Sequence, residues 1–284
     1  MKLSHTIIII CTITISAYSQ YNPGAKQISL SNSDVALSND VFSLFNNPAG
    51  LSQMNWREVG IYYSPAPFGL SELANGYAAY HEPTSIGSFA VGGMSYGFDL
   101  YRESKFILGY SYNFQNKFFA GLAINYQTVS IKNYGNDGAI FFNLGGLAYI
   151  TNIFRIGFAV QNINRATFGD EDDQIPMIFN TGLSYDVIDD LTVNFALEKD
   201  IKYKAAFQFG INYDIIEYIS IRMGFANEPS KYSAGIGINY SMFSLDYAMF
   251  THNYLGLTHQ AGVIISFGRD ENRNTTIKKY LGLE

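Results

Sequence analysis

A two-residue alternation between apolar and small or polar side chains runs from about residue 56 to residue 267, and it constrains the fold more than any other feature. For example, Phe118 and Leu122 share one face of a segment whose other face carries Gly121 and Asn125. Successive side chains of a β-strand point to opposite faces of the sheet, so this period predicts strands. The sequence therefore predicts an all-β chain. The alternation is also clear in segments 191–200, 204–215 and 219–226.

The second face of these predicted strands carries mainly Gly, Ala, Ser and Asn, with few Lys or Glu residues. A soluble β-sandwich would show the same period, but it would need charged side chains on its water-facing surface. Charged residues make up 15% of the chain, below the roughly 25% of an average soluble domain. Tyr and Phe number 22 each, and Gly numbers 26. Because transmembrane barrels present an apolar face to lipid and a polar face to the lumen, the composition favours a barrel that contacts membrane lipid.

Fourteen strands are predicted between residues 56 and 267, most of them near the roughly 9–11 residues that a tilted strand needs to cross a bilayer. Connections after even-numbered strands are predicted to be short, and those after odd-numbered strands mostly longer, namely 64–71, 97–102, 132–137, 164–176 and 251–256. Short periplasmic turns and longer extracellular loops are typical of bacterial outer-membrane barrels. With an even strand count, both termini are then expected in the periplasm of a Gram-negative bacterium. The predicted strands are 56–63, 72–80, 85–96, 103–114, 117–130, 138–150, 154–163, 177–187, 191–200, 204–215, 219–226, 231–240, 243–250 and 257–267.

Both ends of the chain are expected to lie outside the barrel wall. Residues 1–19 have the pattern of a signal peptide, with Lys2, an apolar run and small residues around Ala17. Cys11 is the single cysteine and lies inside this segment, so the exported chain would have no thiol. Residues 268–284 are charged and lack the alternation, which predicts a periplasmic C-terminal tail ending in a short helix. The formal net charge of −6 makes nucleic acid an unexpected partner.

The segment 20–55 contains one short helical pattern, and Asn39 is placed to cap its start. Asn47 and Pro48 end this helix, and Gly50 belongs to the turn out of it. We interpret the segment as a plug around which a closed sheet wraps. The fold class is therefore predicted as an all-β, transmembrane antiparallel β-barrel of about 14 strands with a short N-terminal helical plug in its lumen. Asn47, Pro48 and Gly50 are predicted to hold the plug against the wall and to permit gating; the simpler interpretation is a plain helix stop.

The plug motif, the strand count and the last hairpin resemble those of the PorV/PorQ-type outer-membrane proteins, which belong with the FadL-type fatty-acid transporters. This resemblance implies an outer-membrane barrel with a plug in its lumen. Within the family, PorV-type members serve the type IX secretion system and carry substrates from the translocon toward surface attachment, whereas FadL-type members pass hydrophobic molecules through the wall. The chain departs from the family in its small loops and in the tail after Phe267. The segments that carry the resemblance are 38–45, 46–51, 232–237, 244–248 and 255–259.

Three charged residues, Glu198, Arg222 and Asp246, are predicted to face the lumen. We expect them to form structural ion pairs with the plug; a substrate path is the alternative. The histidines lie at no metal-ligand spacing, and no serine sits in a nucleophile elbow. The acidic run at 170–173 is interpreted as a solvated loop rather than a calcium site, because it lacks the spacing and the glycine of a calcium loop. The sequence therefore predicts no enzyme, no metal and no cofactor.

Three functions remain open at this point. The first is a barrel that assists type IX secretion or surface delivery by binding the translocon or secreted protein cargo through aromatic-rich loops at 62–68 and 98–101. The second is a transporter of fatty acids or other hydrophobic small molecules, for which Phe119, Phe141 and Phe250 would line an apolar pocket. The third is a barrel with a mainly structural role.

Overall fold

The computed structural model describes residues 23–169, 173–252, 255–269 and 272–283. Fourteen antiparallel strands form a closed barrel, in which the first strand pairs with the second on one side and with the last on the other. This architecture confirms the predicted fold class. The barrel strands are β1 (Arg57–Ser64), β2 (Asn75–Thr84), β3 (Gly87–Phe98), β4 (Tyr101–Phe114), β5 (Phe118–Ile131), β6 (Gly135–Tyr149), β7 (Phe154–Gln161), β10 (Ile178–Ile188), β11 (Leu191–Asp200), β12 (Ala206–Ile216), β13 (Ile219–Asn227), β14 (Ser230–Tyr240), β15 (Phe243–His252) and β16 (Gly256–Phe267).

The predicted alternation sorts side chains between the outside of the barrel and its lumen. In β5, Phe118 is 56% exposed on the outer face, whereas its neighbour Phe119 is 3% exposed and faces inward. The outer face is covered by large exposed aliphatic and aromatic side chains from every barrel strand except β2, as a surface in contact with lipid requires. Closure of the sheet pairs the backbone groups of both edge strands, which an open sheet in lipid would leave without partners.

The connections at the two ends of the barrel differ less in length than the sequence predicts. The end that holds the start of β1 and the finish of β16, here called the turn end, has hairpin connections of two to four residues. The opposite end, here called the loop end, has the longer connections 65–74 and 162–177. However, the predicted long loop at 97–102 is wrong, because Phe98 still pairs with Tyr101 and leaves a two-residue turn. The connection between β13 and β14 is also only two residues long.

A few short elements lie outside the barrel wall. The long connection between β7 and β10 contains a two-stranded ladder of β8 (Thr167–Phe168) and β9 (Asp173–Gln174). A C-terminal helix, α3 (Arg273–Leu281), follows β16. Within the described residues, no helix is both long and apolar enough to cross a membrane. The predicted signal peptide, residues 1–19, and positions 170–172 of the acidic run lie outside the described residues.

The N-terminal segment 23–56, here called the plug, fills the lumen. It contains α1 (Ala25–Ser29), the single turn α2 (Ser43–Asn46) and a 3-10 helix (Pro48–Gln53). The predicted cap at Asn39 is wrong: α2 starts later, and Asp40 Oδ1 accepts a hydrogen bond from the Phe42 backbone N–H at 3.0 Å. Every plug residue is buried except Lys26 and Asn46, which are half-buried, and Asn55, which is exposed.

Candidate functional site: the plugged lumen

A ring of inward-facing glycines lets the plug lie directly against the barrel wall. At each of these positions an added Cβ would come within 3.0 Å of a plug atom, so any larger residue would displace the plug or the wall. Ten barrel strands contribute one such glycine each, and three of the other four strands place Ala79, Ala196 and Ala248 next to them in register. We call this ring the glycine belt; it consists of Gly60, Gly92, Gly109, Gly121, Gly145, Gly157, Gly182, Gly210, Gly224 and Gly235.

Asn47 joins two parts of the plug to the wall. Its Nδ2 donates to the Val35 carbonyl at 2.8 Å and to the Gly146 carbonyl of β6 at 3.2 Å, and its Oδ1 accepts from the Ala49 N–H. The side chain is fully buried, so these contacts satisfy polar groups that water does not reach. Asn47 is therefore an anchor between plug and wall.

Pro48 and Gly50 complete this anchor through close packing. Pro48 is the first residue of the 3-10 helix, and its carbonyl carbon lies against Gly121 of β5. Gly50 must be a glycine, because an added Cβ would lie 1.9 Å from the carbonyl oxygen of Ser38. Asn47 and Pro48 thus contact β6 and β5, whereas Gly50 packs on Ser38 within the plug. The gating role of the three residues stays a prediction.

Arg222 of β13 and Asp246 of β15 form a buried ion pair across the inner face of β14. Gly237 of β14 leaves the space, since an added Cβ there would lie within 3.0 Å of both side chains. Arg222 Nε also donates to Asn212 Oδ1 at 2.8 Å. We expected Arg222 and Asp246 to form ion pairs with the plug. In the structure their contacts are instead with other residues of the barrel wall.

Glu198 faces the lumen near the loop end, away from the Arg222–Asp246 pair. Its Oε2 accepts a hydrogen bond from Gln208 Nε2 of the neighbouring strand β12 at 3.3 Å. The structure therefore does not bring the three predicted charges together.

The half of the plug near the turn end contains a cluster of charged and polar side chains that contact one another. Lys26 Nζ lies 3.2 Å from Asp40 Oδ2, and the same oxygen accepts from Gln27 Nε2 at 2.8 Å. Burial lowers the pKa of Lys26. Burial acts to raise the pKa of Asp40, but the charges of Lys26 and Arg273, together with hydrogen bonds from Gln27 and Lys26, hold that pKa below its usual value. Burial, reinforced by the negative charge of Asp40, raises the pKa of Asp34 to about 6.

The C-terminal helix α3 closes the turn end and binds both the plug and the wall. Arg273 Nη1 lies 2.6 Å from Glu58 Oε1 of β1 and donates to the Asn39 carbonyl of the plug at 2.8 Å. Asn39 Nδ2 donates to Asn274 Oδ1 at 2.9 Å, and Lys278 Nζ lies 3.1 Å from Asp186 Oδ2 of β10. Ile277 and Leu281 of the helix are buried in the same apolar cluster as the plug. The tail predicted at 268–284 therefore docks on the barrel through its helix.

The loop end of the lumen is covered by aromatic side chains. Phe68 of the 65–74 connection packs against Phe250 and His252, with ring centroids 5.8 Å and 5.3 Å apart. The Phe68 backbone N–H donates to Thr258 Oγ1 at 3.0 Å. Lys105 Nζ lies 5.3 Å from the ring centroid of Phe141. The predicted contact loop at 62–68 is therefore turned inward only in part: Tyr62 is buried and Phe68 covers the mouth, whereas Tyr63 is 53% exposed.

Reasoning from the sequence missed the residues that hold the tail. Strand β1 begins with two charged residues, and of these Glu58 lies on the inward face together with Gly60 and Tyr62. This inward position was the available signal. The Glu58 carboxylate accepts from Trp56 Nε1 and Ser266 Oγ, each at 2.7 Å, as well as pairing with Arg273. Among the described residues, no group of three or more His, Cys, Asp or Glu side chains is arranged to hold a metal ion.

Comparison with known proteins gives one family match. The model of the family described as type IX secretion system membrane protein PorP/SprF matches residues 86–264, more than half of the chain. No protein among the curated sequences matches.

Several solved barrels share the fold at low sequence identity. The toluene transporter TbuX of Ralstonia pickettii is 14% identical with a TM-score of 0.62, covering 86% of this chain and 97% of its own. The monoaromatic hydrocarbon channel CymD is 13% identical with a TM-score of 0.65, covering 88% and 98%. A Pseudomonas aeruginosa FadL homologue is 12% identical with a TM-score of 0.58, covering 86% and 97%. The barrel fold and the family match together indicate an outer-membrane location.

Proposed function

The chain belongs to the PorP/SprF family of type IX secretion system membrane proteins, and from this premise we propose that it is a non-enzymatic barrel that assists protein secretion or surface delivery. In this proposal it binds a secreted cargo protein or a component of the translocon. The finer resemblance to PorV/PorQ-type proteins stays a prediction, because the family that matches is PorP/SprF. Membrane lipid covers the outer face.

The observation that carries the proposal beyond family membership is the filled lumen. The plug is buried along almost its whole length, and the glycine belt leaves no gap between plug and wall at the belt positions. A solute would have to displace this plug in order to cross. Binding at the surface, by contrast, needs no movement of the plug.

The rim of β3 to β6 at the loop end is the surface that we propose for partner binding. Strands β4, β5 and β6 have 14, 14 and 15 residues, more than the roughly 9–11 that cross a bilayer. Leu100 and Tyr134 in the turns of this rim are 54% and 90% exposed. Tyrosine is among the residues that are enriched at the core of protein interfaces, which makes Tyr134 the stronger of the two candidates. We place this rim outside the cell and both termini in the periplasm.

Cross-linking in the native outer membrane tests the proposal. A tagged chain is captured after cross-linking, and the proteins attached to it are identified by mass spectrometry. We expect a secreted protein or a translocon component, and we expect the double variant Leu100→Asp/Tyr134→Asp to reduce its yield at least tenfold. The matched control is Ile86→Asp, which changes a 66% exposed residue at the turn end. Equal yields from the wild type and the rim variant would contradict the proposed surface.

Transport of a hydrophobic small molecule is the second candidate, and the fold shared with a toluene transporter favours it. Phe141 and Phe250 face the lumen near the loop end, as a pocket for such a ligand would require. Phe119, in contrast, packs on Tyr149 within the plug–wall core, at a centroid distance of 5.9 Å. Lipid extraction of the purified protein distinguishes the two functions: a bound fatty acyl or aromatic compound in the absence of any protein partner would favour transport.

A further inference from the structure

A polar cavity of about 320 Å³ opens at the turn end, between the plug, the ends of β12 to β15 and the first turn of α3. We call it the basal cavity. Its lining includes four cationic side chains, Lys26, Arg222, Arg269 and Arg273. Four carboxylates, Asp40, Asp214, Glu217 and Asp246, also line it, so its total formal charge is balanced.

Three of the four cations have a carboxylate partner. Lys26 pairs with Asp40, Arg222 pairs with Asp246, and Arg273 pairs with Glu58. Arg269 differs from them, because within the described part of the chain it forms no ion pair.

The Arg269 guanidinium is also nearly enclosed. The residue is 7% exposed, and its one hydrogen bond to a described residue runs from Nη2 to Ser244 Oγ at 3.5 Å, the outer limit for such a bond. Its Nε, like Nη2 of Arg273, is buried without a partner among the described residues. Burial, together with the neighbouring charge of Arg273, lowers the pKa of Arg269 to about 10, although the charge of Glu58 acts to raise it. Two neighbouring guanidinium groups thus each have one donor, Arg269 Nε and Arg273 Nη2, without a partner in the described residues.

Two carboxylates of the lining, Asp214 and Glu217, remain. Asp214 accepts from Asn212 Nδ2 at 3.1 Å and from Asn272 Nδ2 at 3.4 Å. Glu217 lies in the exposed turn between β12 and β13. In the described residues neither of them forms an ion pair with Arg269. A buried charge without a partner is strongly unfavourable, so a bound anion would stabilise this arrangement.

We propose that the basal cavity binds an oxyanion, either a carboxylate or a phosphate group, between Arg269 and Arg273 at the N-terminal end of α3. The planar fork of a guanidinium group matches the oxygen geometry of both anions. The N-terminus of the nine-residue helix α3 adds a favourable dipole beside them. The cavity is at the small end of the roughly 300–1,000 Å³ range of ligand pockets, which suits a small anion or a single lipid headgroup. This site is independent of the proposed role in secretion.

Trp56 provides a direct reporter for this site. It is the only tryptophan of the chain, and the Arg273 guanidinium carbon lies 5.8 Å from its ring centroid. The full-length barrel in detergent is titrated separately with sodium phosphate and sodium acetate, with chloride adjusted to hold ionic strength constant. We expect a saturable change in tryptophan fluorescence with at least one anion. A change that is absent or linear for both anions would overturn the proposal.

A variant pair locates the site. Arg269→Met is expected to raise the dissociation constant at least tenfold, whereas Arg102→Met at the loop end, where Arg102 is exposed, leaves it unchanged. Saturation with equal affinity in Arg269→Met would overturn the assignment. If Arg269→Met does not yield a folded barrel, Arg269→Lys replaces it, and a dissociation constant equal to that of wild type would then count against a site built on the guanidinium fork. A short-chain anionic phospholipid, added to the wild type, distinguishes a lipid headgroup from free phosphate.

Discussion

Arg273 of the C-terminal helix and Glu58 of the first barrel strand form an ion pair of 2.6 Å beside the ring of Trp56. Glu58 is fully buried and also accepts the Val41 backbone N–H of the plug at 3.0 Å. One carboxylate thus joins the wall, the plug and the tail. Segments that are far apart in the sequence are held at one point of the turn end.

Removing Arg273 should therefore destabilise the barrel and free the plug. Arg273→Met leaves the buried Glu58 carboxylate without its counter-charge, and we expect a loss of about 3–5 kcal/mol in the free energy of unfolding. Urea unfolding of the protein in lipid vesicles measures this loss. Arg57→Met, which breaks an exposed pair with Glu82, is the matched control and should change stability little.

A double variant distinguishes the loss of the ion pair from the loss of side-chain packing when Arg273 is replaced. The double variant Glu58→Gln/Arg273→Met removes both charges, and we expect it to recover part of the lost stability. If the double variant is as unstable as the sum of the single variants, the ion pair is not what couples the tail to the plug.

Because the plug packs directly on the glycine belt, we expect that replacing one belt glycine by alanine will displace the plug. An added Cβ at Gly121 would lie 2.3 Å from the Ala49 backbone nitrogen, and this backbone has no side-chain freedom with which to yield. Gly121→Ala is expected to cost about 1–3 kcal/mol and to raise ion conductance in planar bilayers. Gly93→Ala is the control, because its Cβ would meet its nearest neighbour, the Lys105 carbonyl oxygen, at 3.5 Å. Equal conductance in both variants would argue against a seal made by the belt.

The sequence predicts the barrel well because the period of two is a local property that each strand shows by itself. It predicts the ends of the strands less well, as at 97–102, since pairing at the rim between Phe98 and Tyr101 depends on the neighbouring strand rather than on hydrophobicity. The alternation also places Arg222 and Asp246 in the lumen. It does not reveal that Arg222 and Asp246 meet over Gly237, because that contact depends on strand register.

The contacts of the C-terminal helix could not be predicted from the sequence either, because they also depend on how distant strands pair. Arg273 and Glu58 are more than two hundred positions apart in the sequence, and their meeting follows from barrel closure. The glycine belt is visible in the sequence only as frequent glycine on one face of the strands. Its role becomes clear once the plug occupies the lumen.

Asn47→Ala should loosen the plug without altering the barrel wall. The change removes the hydrogen bonds to the Val35 and Gly146 carbonyls and leaves both buried, which costs about 1–3 kcal/mol. Pro48→Ala should add a smaller effect by freeing the start of the 3-10 helix. Limited proteolysis of the folded barrel, combined with conductance, measures plug release. Protease resistance and conductance both equal to those of wild type would contradict an anchoring role for Asn47.

The plug should become less stable as pH rises, because of Asp34. Its ordinary pKa is 3.8, and burial together with the Asp40 charge raises the pKa to about 6 in the folded protein. Between these two pH values the folded chain retains a proton that the unfolded chain has lost, so stability falls as pH rises through this window. The lowered pKa of Asp40 acts in the opposite direction, but only in more acidic solution. Asp34→Asn should therefore raise the free energy of unfolding at pH 8 by about 2–3 kcal/mol and flatten its dependence between pH 4 and pH 7. Urea midpoints at pH 5 and pH 8 provide the measurement, with Asp99→Asn at the exposed loop end as control. An unchanged slope in Asp34→Asn would assign the pH dependence to other groups.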